Sequence, residues 1–189
     1  VELAGAIADI ARMALANDFK ATDTRKTKVI LFEGSGRVLG TFAEELSISA
    51  KRQLEQIGVD VRLNSSVSEI EPGRVKVGED WIDCDVVLWA TGVAASPLGK
   101  ALGVETDKAG RVHVENDLSL KDHSNIFVIG DMASLLQENG EPVPGVSPAA
   151  MQMGTATANN ILAEFKGNPR ENFKYWDKGT MATIGRSKA

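Results

Sequence analysis

The chain has 189 residues, of which 43% are hydrophobic and 25% are charged, and its formal net charge is −5 at pH 7. This composition predicts a soluble, intracellular globular protein, and the acidic balance argues against a nucleic-acid partner. The single cysteine excludes an internal disulfide, two separated histidines argue against a metal site, and no apolar run approaches the ~20 residues of a membrane span.

The chain begins in a helical rhythm. Leu3, Ile7, Ile10 and Ala14 fall on one face, which predicts a helix from the first residue to about Ala16. No N-cap residue or turn precedes this helix, and the first residue is not methionine. We therefore expect the chain to be a piece of a longer protein, cut inside its first element.

Two strands flank the next helix. A polar connection over residues 17–28 leads to the apolar run 29–32, which predicts a buried strand that ends at Glu33. An amphipathic helix follows and stops at Gly58, as a helix with a C′ glycine does. Residues 59–63 then alternate as a further strand.

The following region predicts how the sheet is completed. Short β-like pieces broken by tight turns over residues 67–82 indicate a small antiparallel meander. The continuous apolar run 86–90 predicts another buried strand, which ends at Thr91-Gly92. The order predicts an α/β fold, a Rossmann-like parallel sheet in which a β-meander forms the last crossover.

A second unit is predicted after about residue 112, so that the expected domains are residues 1–112 and 113–189. Its central feature is the apolar run 126–129, which follows Asn125 and predicts a parallel strand buried on both faces that ends in Gly130-Asp131. A Gly/Pro-rich connection then leads to a helix over about 149–165.

Three strand ends carry candidate binding residues. Glu33 is placed as the acidic residue of a dinucleotide fold, which accepts hydrogen bonds from ribose hydroxyls and repels the extra phosphate of NADPH. Thr91 and Gly92, at the end of another predicted strand, offer a second point where a ligand can lie close to the backbone. Gly130 allows a ligand near the backbone, and the carboxylate of Asp131 suits a polyol better than a phosphate. The alternative interpretation of these residues is that each belongs to an ordinary turn at the end of a strand and binds no ligand.

The last predicted helix carries a further candidate. Gln152 lies in its first turn, where the helix dipole suits an electron-rich ring edge, although a solvent-facing glutamine is the alternative. Met151 and Met153 beside it are of a type found more often in cores than in cofactor contacts.

Seven segments together resemble the successive motifs of one family, the type II NADH dehydrogenases, which are single-chain NADH:quinone oxidoreductases with two dinucleotide domains. The similarity covers essentially the whole chain in order. It rests on Val1–Gly5, Asp18-Phe19, Val29–Glu33, Leu88–Pro97, Val128–Asp131, Pro148–Gln152 and Gly179–Arg186.

This resemblance implies FAD and NADH as cofactors and no metal. The implied FAD-binding residues are Gly130, Asp131, Ala149, Ala150 and Met151. The implied NADH-binding residues are Glu33, Thr91 and Gly92. Glu2 would lie near the nicotinamide and Gln152 beside the flavin on the quinone side, as the two catalytic positions.

The implied reaction is hydride transfer from NADH to FAD and then transfer of two electrons to a quinone, without proton pumping. The complete enzyme would be a peripheral respiratory-chain protein on the cytoplasmic face of the inner membrane, with its oligomeric state left open. Because an N-terminal FAD half and a C-terminal membrane-seating region are missing, the fragment alone is expected to be inactive. The alternatives are an NADH-dependent reductase of ferredoxin or a disulfide, and a non-catalytic dinucleotide-binding module.

Overall fold

The computed structural model describes residues 1–189, which form two compact units. One comprises residues 1–89 together with 180–189, and the other comprises residues 90–179. Both mix helices with β-strands, and the predicted α/β fold class is confirmed. The last ten residues belong to the same unit as the start of the chain. The assignment of one domain to NADH and one to FAD stays a prediction.

The first unit contains a parallel strand pair and a separate meander. Its elements are α1 (Glu2–Asp9), a π-helical continuation (Ile10–Ala14), a 3₁₀ turn (Thr24–Lys26), β1 (Val29–Phe32), α2 (Glu44–Gln56), β2 (Val59–Arg62), β3 (Val67–Glu71), β4 (Arg74–Val77) and β5 (Asp80–Asp83). β1 runs parallel to β2, with Val29 opposite Val59 and Phe32 opposite Arg62. β3, β4 and β5 form an antiparallel sheet in that order, as the turn signals predict.

The core of this unit lies between the two long helical segments and the parallel strands. Leu54 of α2 is fully buried at its centre. The core also includes a residue from the end of the chain, and its buried members are Ala8, Val38, Ala50, Leu54, Val59, Val61 and Ile184. Burying the apolar faces of α1 and α2 in this way holds β1 and the loop after it in place.

The end of α2 is closed by a side chain from the first helical segment. Gly58 has a φ of +83°, the left-handed conformation of a C′ glycine. Arg12 donates Nη1 to the carbonyl of Ile57 at 2.9 Å and Nη2 to that of Gly58 at 3.0 Å. A Cβ at position 58 would lie 1.1 Å from Nη1 of Arg12. Glycine is therefore required both for the turn and for the arginine.

The predicted strand over residues 86–90 is wrong. These residues form no strand and pair with none, and Val86 and Trp89 are 73% and 63% exposed. An apolar run becomes a strand only where a neighbouring strand supplies hydrogen bonds and packing. None of the strands of this chain does so here.

The second unit contains short strands and one long helix. Its elements are α3 (Leu98–Ala101), β6 (Val112–His113), β7 (Ser119–Leu120), β8 (His123–Phe127), a 3₁₀ turn (Gly130–Met132), β9 (Ala133–Ser134) and α4 (Ser147–Phe165). β6 pairs with β9 in parallel and β7 pairs with β8 in antiparallel fashion. The buried core members are Val112, Leu118, Leu120, Val128, Ala133, Leu135, Val143, Ala149 and Met153.

The strand expected over residues 126–129 needs correction. β8 ends at Phe127, its partner β7 is antiparallel, and Ile126 and Ile129 remain 36% and 39% exposed. Only Val128 of the run is fully inside the core. β8 belongs to a two-stranded antiparallel sheet, so it is not the central strand of a parallel sheet, whose two faces helices would cover. Near the end of the chain, Ile184 makes an isolated antiparallel bridge to Lys188.

Asp117 holds the turn that leads into β7. Its Oδ1 accepts hydrogen bonds from the backbone N–H of Ser119 at 3.0 Å and from its hydroxyl at 2.6 Å, and its Oδ2 accepts one from Nη1 of Arg170 at 3.1 Å. Between them Leu118 is fully buried with a φ of +72°, an unfavourable conformation for leucine. Partial burial raises the pKa of Asp117, but the bonds from Ser119 and Arg170 outweigh it and hold the pKa below its ordinary value.

Replacing Asp117 with Asn should make the loss of thermal stability at acidic pH smaller than in wild type. Because the folded pKa is lowered, the ionised carboxylate stabilises the fold above its unfolded pKa of about 3.9, and this contribution is lost as pH falls through the folded pKa. The measurement is the change in Tm between neutral pH and about pH 3. Asp122→Asn, at an exposed aspartate nearby, is the control. An equal Tm change in wild type and Asp117→Asn would contradict the prediction.

Candidate functional site

The end of β8 and the start of α4 meet around one small cavity in the second unit. Four of the candidate residues, Gly130, Asp131, Ala149 and Ala150, line it together. Gly130 has a φ of +64°, and a Cβ there would lie 3.4 Å from that of Ala150. The structure therefore brings the Gly-Asp motif against the first turn of the helix.

The N-terminus of α4 faces this cavity without a capping side chain. Its N-cap residue is Val146, and Pro148 follows in the first turn. Gly145 precedes it, and a Cβ at Gly145 would lie 3.8 Å from Oδ1 of Asp131. The helix dipole gives this end a partial positive charge, which favours the nearby carboxylate and any electron-rich ligand atom.

The cavity is narrow, with a volume of about 10 Å³, which is room for about one water. Its lining also contains residues that the sequence did not predict as binding residues, namely Arg111, Ala133, Val143, Pro144 and Met153. The Sδ atom of Met153 accepts the N–H of Gly130 at 3.2 Å, while Met151 is 71% exposed and does not line the cavity. A carboxylate acceptor, an open helix end and two glycines can together hold a ligand with hydroxyl donors and an electron-rich group.

Gln152 contacts the protein backbone with both ends of its amide. Its Nε2 donates to the carbonyl of Trp176 at 3.0 Å, and its Oε1 accepts the N–H of Trp176 at 3.0 Å. This pair of bonds resembles one rung of a β-ladder and ties the extended segment around Trp176 to the first turns of α4. Gln152 is therefore a fixed side chain and not a freely solvated one.

Glu33 sits directly after β1, in the first unit. Its N–H donates to the carbonyl of Arg62 at 2.9 Å, so that the strand pairing continues to this residue. Its Oε1 accepts the N–H and the hydroxyl of Ser35, both at 2.8 Å, which leaves Oε2 without a hydrogen bond. The turn thus holds the carboxylate at the carboxyl end of a parallel strand, the edge where ligands of α/β sheets bind.

A wider cleft of about 620 Å³ adjoins the same loop. It lies between the loop and α2, and its lining includes Ser35, Arg37, Glu44 and Lys51 but not Glu33. In the second unit, Thr91 and Gly92 are exposed and follow no strand, and Gly92 has a φ of +112°. A glycine is required there by the backbone conformation, whatever else it does.

Glu2 contacts the far end of the chain. Its Oε1 accepts the N–H of Thr183 at 2.9 Å and the hydroxyl of Thr183 at 3.0 Å. The bond from the Thr183 backbone, followed by that from its hydroxyl, lowers the pKa of the Glu2 carboxyl. Glu2 is thus held as an anion at the start of α1.

Sequence reasoning missed the places of four residues beside the candidates. Arg111 and Gly145 line the cavity with Asp131, Met153 accepts the N–H of Gly130, and Thr183 donates to Glu2. For Gly145 a signal existed, because a glycine shortly before a proline in the first turn marks a helix start with an accessible backbone. For Thr183 there was none, since nothing local links a residue to a partner 181 positions away.

Similarities to known proteins cover both units. Residues 1–154 match the family model of the pyridine nucleotide-disulphide oxidoreductases. Over its whole length the chain is 38% identical to the type II NADH:quinone oxidoreductase NdhA of Mycobacterium tuberculosis, of which it spans 42%. It is 34% identical to the type II NADH:quinone oxidoreductase of Haemophilus influenzae, of which it spans 43%.

A solved structure shares the fold. NDH2 of Plasmodium falciparum, in complex with NADH, superposes with a TM-score of 0.86 over 98% of this chain and 54% of that one, at 15% identity. At this identity the likeness shows the fold alone. None of the helices of the present chain is both long enough and apolar enough to cross a membrane.

Proposed function

Because this chain belongs to the pyridine nucleotide-disulphide oxidoreductase family, we propose that it forms part of a flavoprotein that passes a hydride from NADH to FAD and then two electrons to a quinone, without pumping protons. The curated relatives named above are type II NADH:quinone oxidoreductases, and the chain spans less than half of their length. The proposal therefore concerns a complete protein that carries these residues.

The observation that carries the proposal is the meeting of Gly130-Asp131 with the uncapped N-terminus of α4. These residues fit a flavin in chemistry, because Gly130 and Gly145 leave out the Cβ atoms that would fill the lining. Asp131 can accept hydrogen bonds from ribityl hydroxyls, and the helix end favours the carbonyl edge of the ring. Hydride acceptance and the release of two electrons are chemistry that the flavin supplies when bound.

On the NADH side, Glu33 supports the proposal. Its Oε2 makes no hydrogen bond within the chain, so it can accept ribose hydroxyls while Ser35 holds the other oxygen. A carboxylate at this point repels a 2′-phosphate, which favours NADH over NADPH. Thr91 and Gly92 are proposed along the path of the same cofactor, and Glu2 near its nicotinamide.

The remaining parts of the proposal follow from the family resemblance. The domains proposed for NADH and FAD are residues 1–112 and 113–189. The complete protein is proposed to be a peripheral member of the respiratory chain on the cytoplasmic face of the inner membrane.

One assay separates this function from its alternatives. The complete, flavin-loaded protein is given NADH together with a quinone, with ferredoxin, or with a disulfide. Rapid turnover with the quinone alone supports the proposal. Turnover with ferredoxin or the disulfide instead would assign a different acceptor, and NADH binding without oxidation would indicate a binding module.

Gln152→Ala should separate the two half-reactions. We expect flavin reduction by NADH to stay nearly unchanged and reoxidation by quinone to slow several-fold, because one amide contact is worth about 1 kcal/mol. Stopped-flow absorbance follows the two steps one at a time. Since the same substitution also breaks the two bonds to Trp176, the thermal unfolding of the variant is measured as the control for a general loss of structure. Slower reduction with normal reoxidation would show that Gln152 does not border the quinone.

A further inference from the structure

One face of α1 packs against residues 183–186, near the end of the chain. Glu2, Gly5 and Asp9 follow one another at helical spacing, three and then four positions apart, so they share a face. A Cβ at Gly5 would lie 2.8 Å from the backbone nitrogen of Gly185. Oδ2 of Asp9 accepts the N–H of Arg186 at 2.7 Å. The whole of one helix face is therefore matched to residues 183–186.

This docking is anchored in the core and does not depend on surface contacts alone. Ile184, between the contacting residues, is 4% exposed and belongs to the hydrophobic core of the first unit. The position of Thr183 is thus set by the burial of its neighbour. A side chain held in this way can hold another at low entropic cost.

The contact between Thr183 and Glu2 uses only one carboxylate oxygen. The N–H and the hydroxyl of Thr183 both donate to Oε1, while Oε2 accepts no hydrogen bond and Glu2 is exposed. The other charged side chains on α1 and on residues 180–186 are Asp9 and Arg186. Asp9 accepts the main-chain N–H of Arg186, and the hydrogen bonds to the Glu2 carboxylate both come from Thr183, which therefore orients it.

We propose that Thr183 is a positioning residue for the NADH half-reaction, which holds Oε1 of Glu2 and leaves Oε2 to accept a hydrogen bond from the nicotinamide end of NADH. This inference rests on the proposed function, which puts Glu2 near the nicotinamide. A carboxylate that is pinned through one oxygen presents the other in a single orientation and as an anion. Without the Thr183 hydroxyl, only the backbone N–H of Thr183 would still donate to Oε1, so the Glu2 side chain would be held less firmly and would bind a proton more readily.

The test compares four variants of the complete, flavin-loaded protein. Thr183→Val removes the hydroxyl at nearly constant shape, and Thr183→Ser restores it. Thr180→Val makes the same chemical change in the same segment, at an exposed threonine. Glu2→Gln removes the charge itself. The measurements are the stopped-flow rate of flavin reduction by NADH over a range of pH and the NMR titration of the Glu2 carboxyl.

We expect Thr183→Val to slow reduction by about three- to ten-fold, the loss of roughly one hydrogen bond. Its pH profile and the Glu2 titration should move to higher pH, while Thr183→Ser and Thr180→Val stay close to wild type. A general loss of folding would not shift the titration of one carboxyl, so the titration distinguishes positioning from damage.

Three outcomes overturn the inference. If Thr183→Val behaves like Thr180→Val in both measurements, or if Thr183→Ser is as slow as Thr183→Val, the hydroxyl does not position Glu2. If Glu2→Gln reduces the flavin at the wild-type rate, the placement of Glu2 in the proposed function fails and the inference fails with it. If Glu2→Gln slows flavin reduction while Thr183→Val does not, the first of these outcomes applies, and it overturns the inference but leaves the proposed function standing.

Discussion

Replacing Glu33 with Gln is expected to lower kcat/KM for NADH by about ten-fold or more in the complete flavoprotein. A hydrogen bond to a charged acceptor is worth roughly 1.5–3 kcal/mol, and here a neutral amide would replace the charged acceptor at the ribose. Ser35 holds one oxygen of the carboxylate at 2.8 Å, so the other is preorganised for a ligand. The ratio of kcat/KM for NADH to that for NADPH should fall as well, because the repulsion of a 2′-phosphate disappears.

Steady-state kinetics with both nucleotides provides the measurement. Glu45→Gln removes the same charge from an exposed glutamate of α2 and is the control for a general electrostatic effect. If Glu33→Gln and Glu45→Gln give the same NADH/NADPH ratio as wild type, Glu33 does not contact the nucleotide.

Gly58→Ala is expected to destabilise the first unit by about 2–5 kcal/mol. A residue other than glycine in the left-handed conformation costs roughly 1–2 kcal/mol. The new methyl group would also occupy the place of the Arg12 guanidinium and break its two bonds to the end of α2. Hydrogen bonds from a charged donor add about 1–3 kcal/mol. Urea unfolding monitored by circular dichroism measures the total.

Two controls divide this total into its parts. Gly73 has nearly the same φ, +82°, but a Cβ there meets no atom within 4 Å, so Gly73→Ala should show the backbone cost alone. In an Arg12→Ala background, Gly58→Ala should cost no more than Gly73→Ala does in wild type. If Gly58→Ala and Gly73→Ala are equally destabilising in the wild-type background, the contact of Arg12 with the end of α2 contributes nothing to stability.

Local patterns were sufficient where an element depends mainly on its own residues. The period of apolar residues predicted α2, and Gly58 marked its end one residue after Ile57. The turns around residues 72 and 78 predicted the meander, which needs only neighbouring segments to pair. Small residues after Pro148 likewise predicted α4.

Patterns failed where an element depends on a partner distant in the chain. Residues 86–90 are as apolar as β1, yet only β1 has a parallel neighbour, β2, and only β1 is a strand. In the apolar run 126–129 the strand stops at Phe127, because its one partner, β7, is short and antiparallel. Strand formation requires hydrogen bonds from a second segment. The composition of one segment does not show whether a partner segment lies beside it.

The same distinction between local patterns and distant contacts applies to the candidate site. The sequence by itself determined that Glu33 and Asp131 come at the ends of apolar runs and that Gln152 lies near the start of a helix, because these features follow from residue type and spacing. The helix begins at Ser147, about two residues earlier than the sequence predicted, so Gln152 lies beyond its first turn. Only the tertiary structure decided that Gly145 and Met153 join Asp131, that Gln152 clamps Trp176, and that Thr183 holds Glu2. These are contacts between distant residues, and they are set by how buried faces pack, which local propensity does not encode.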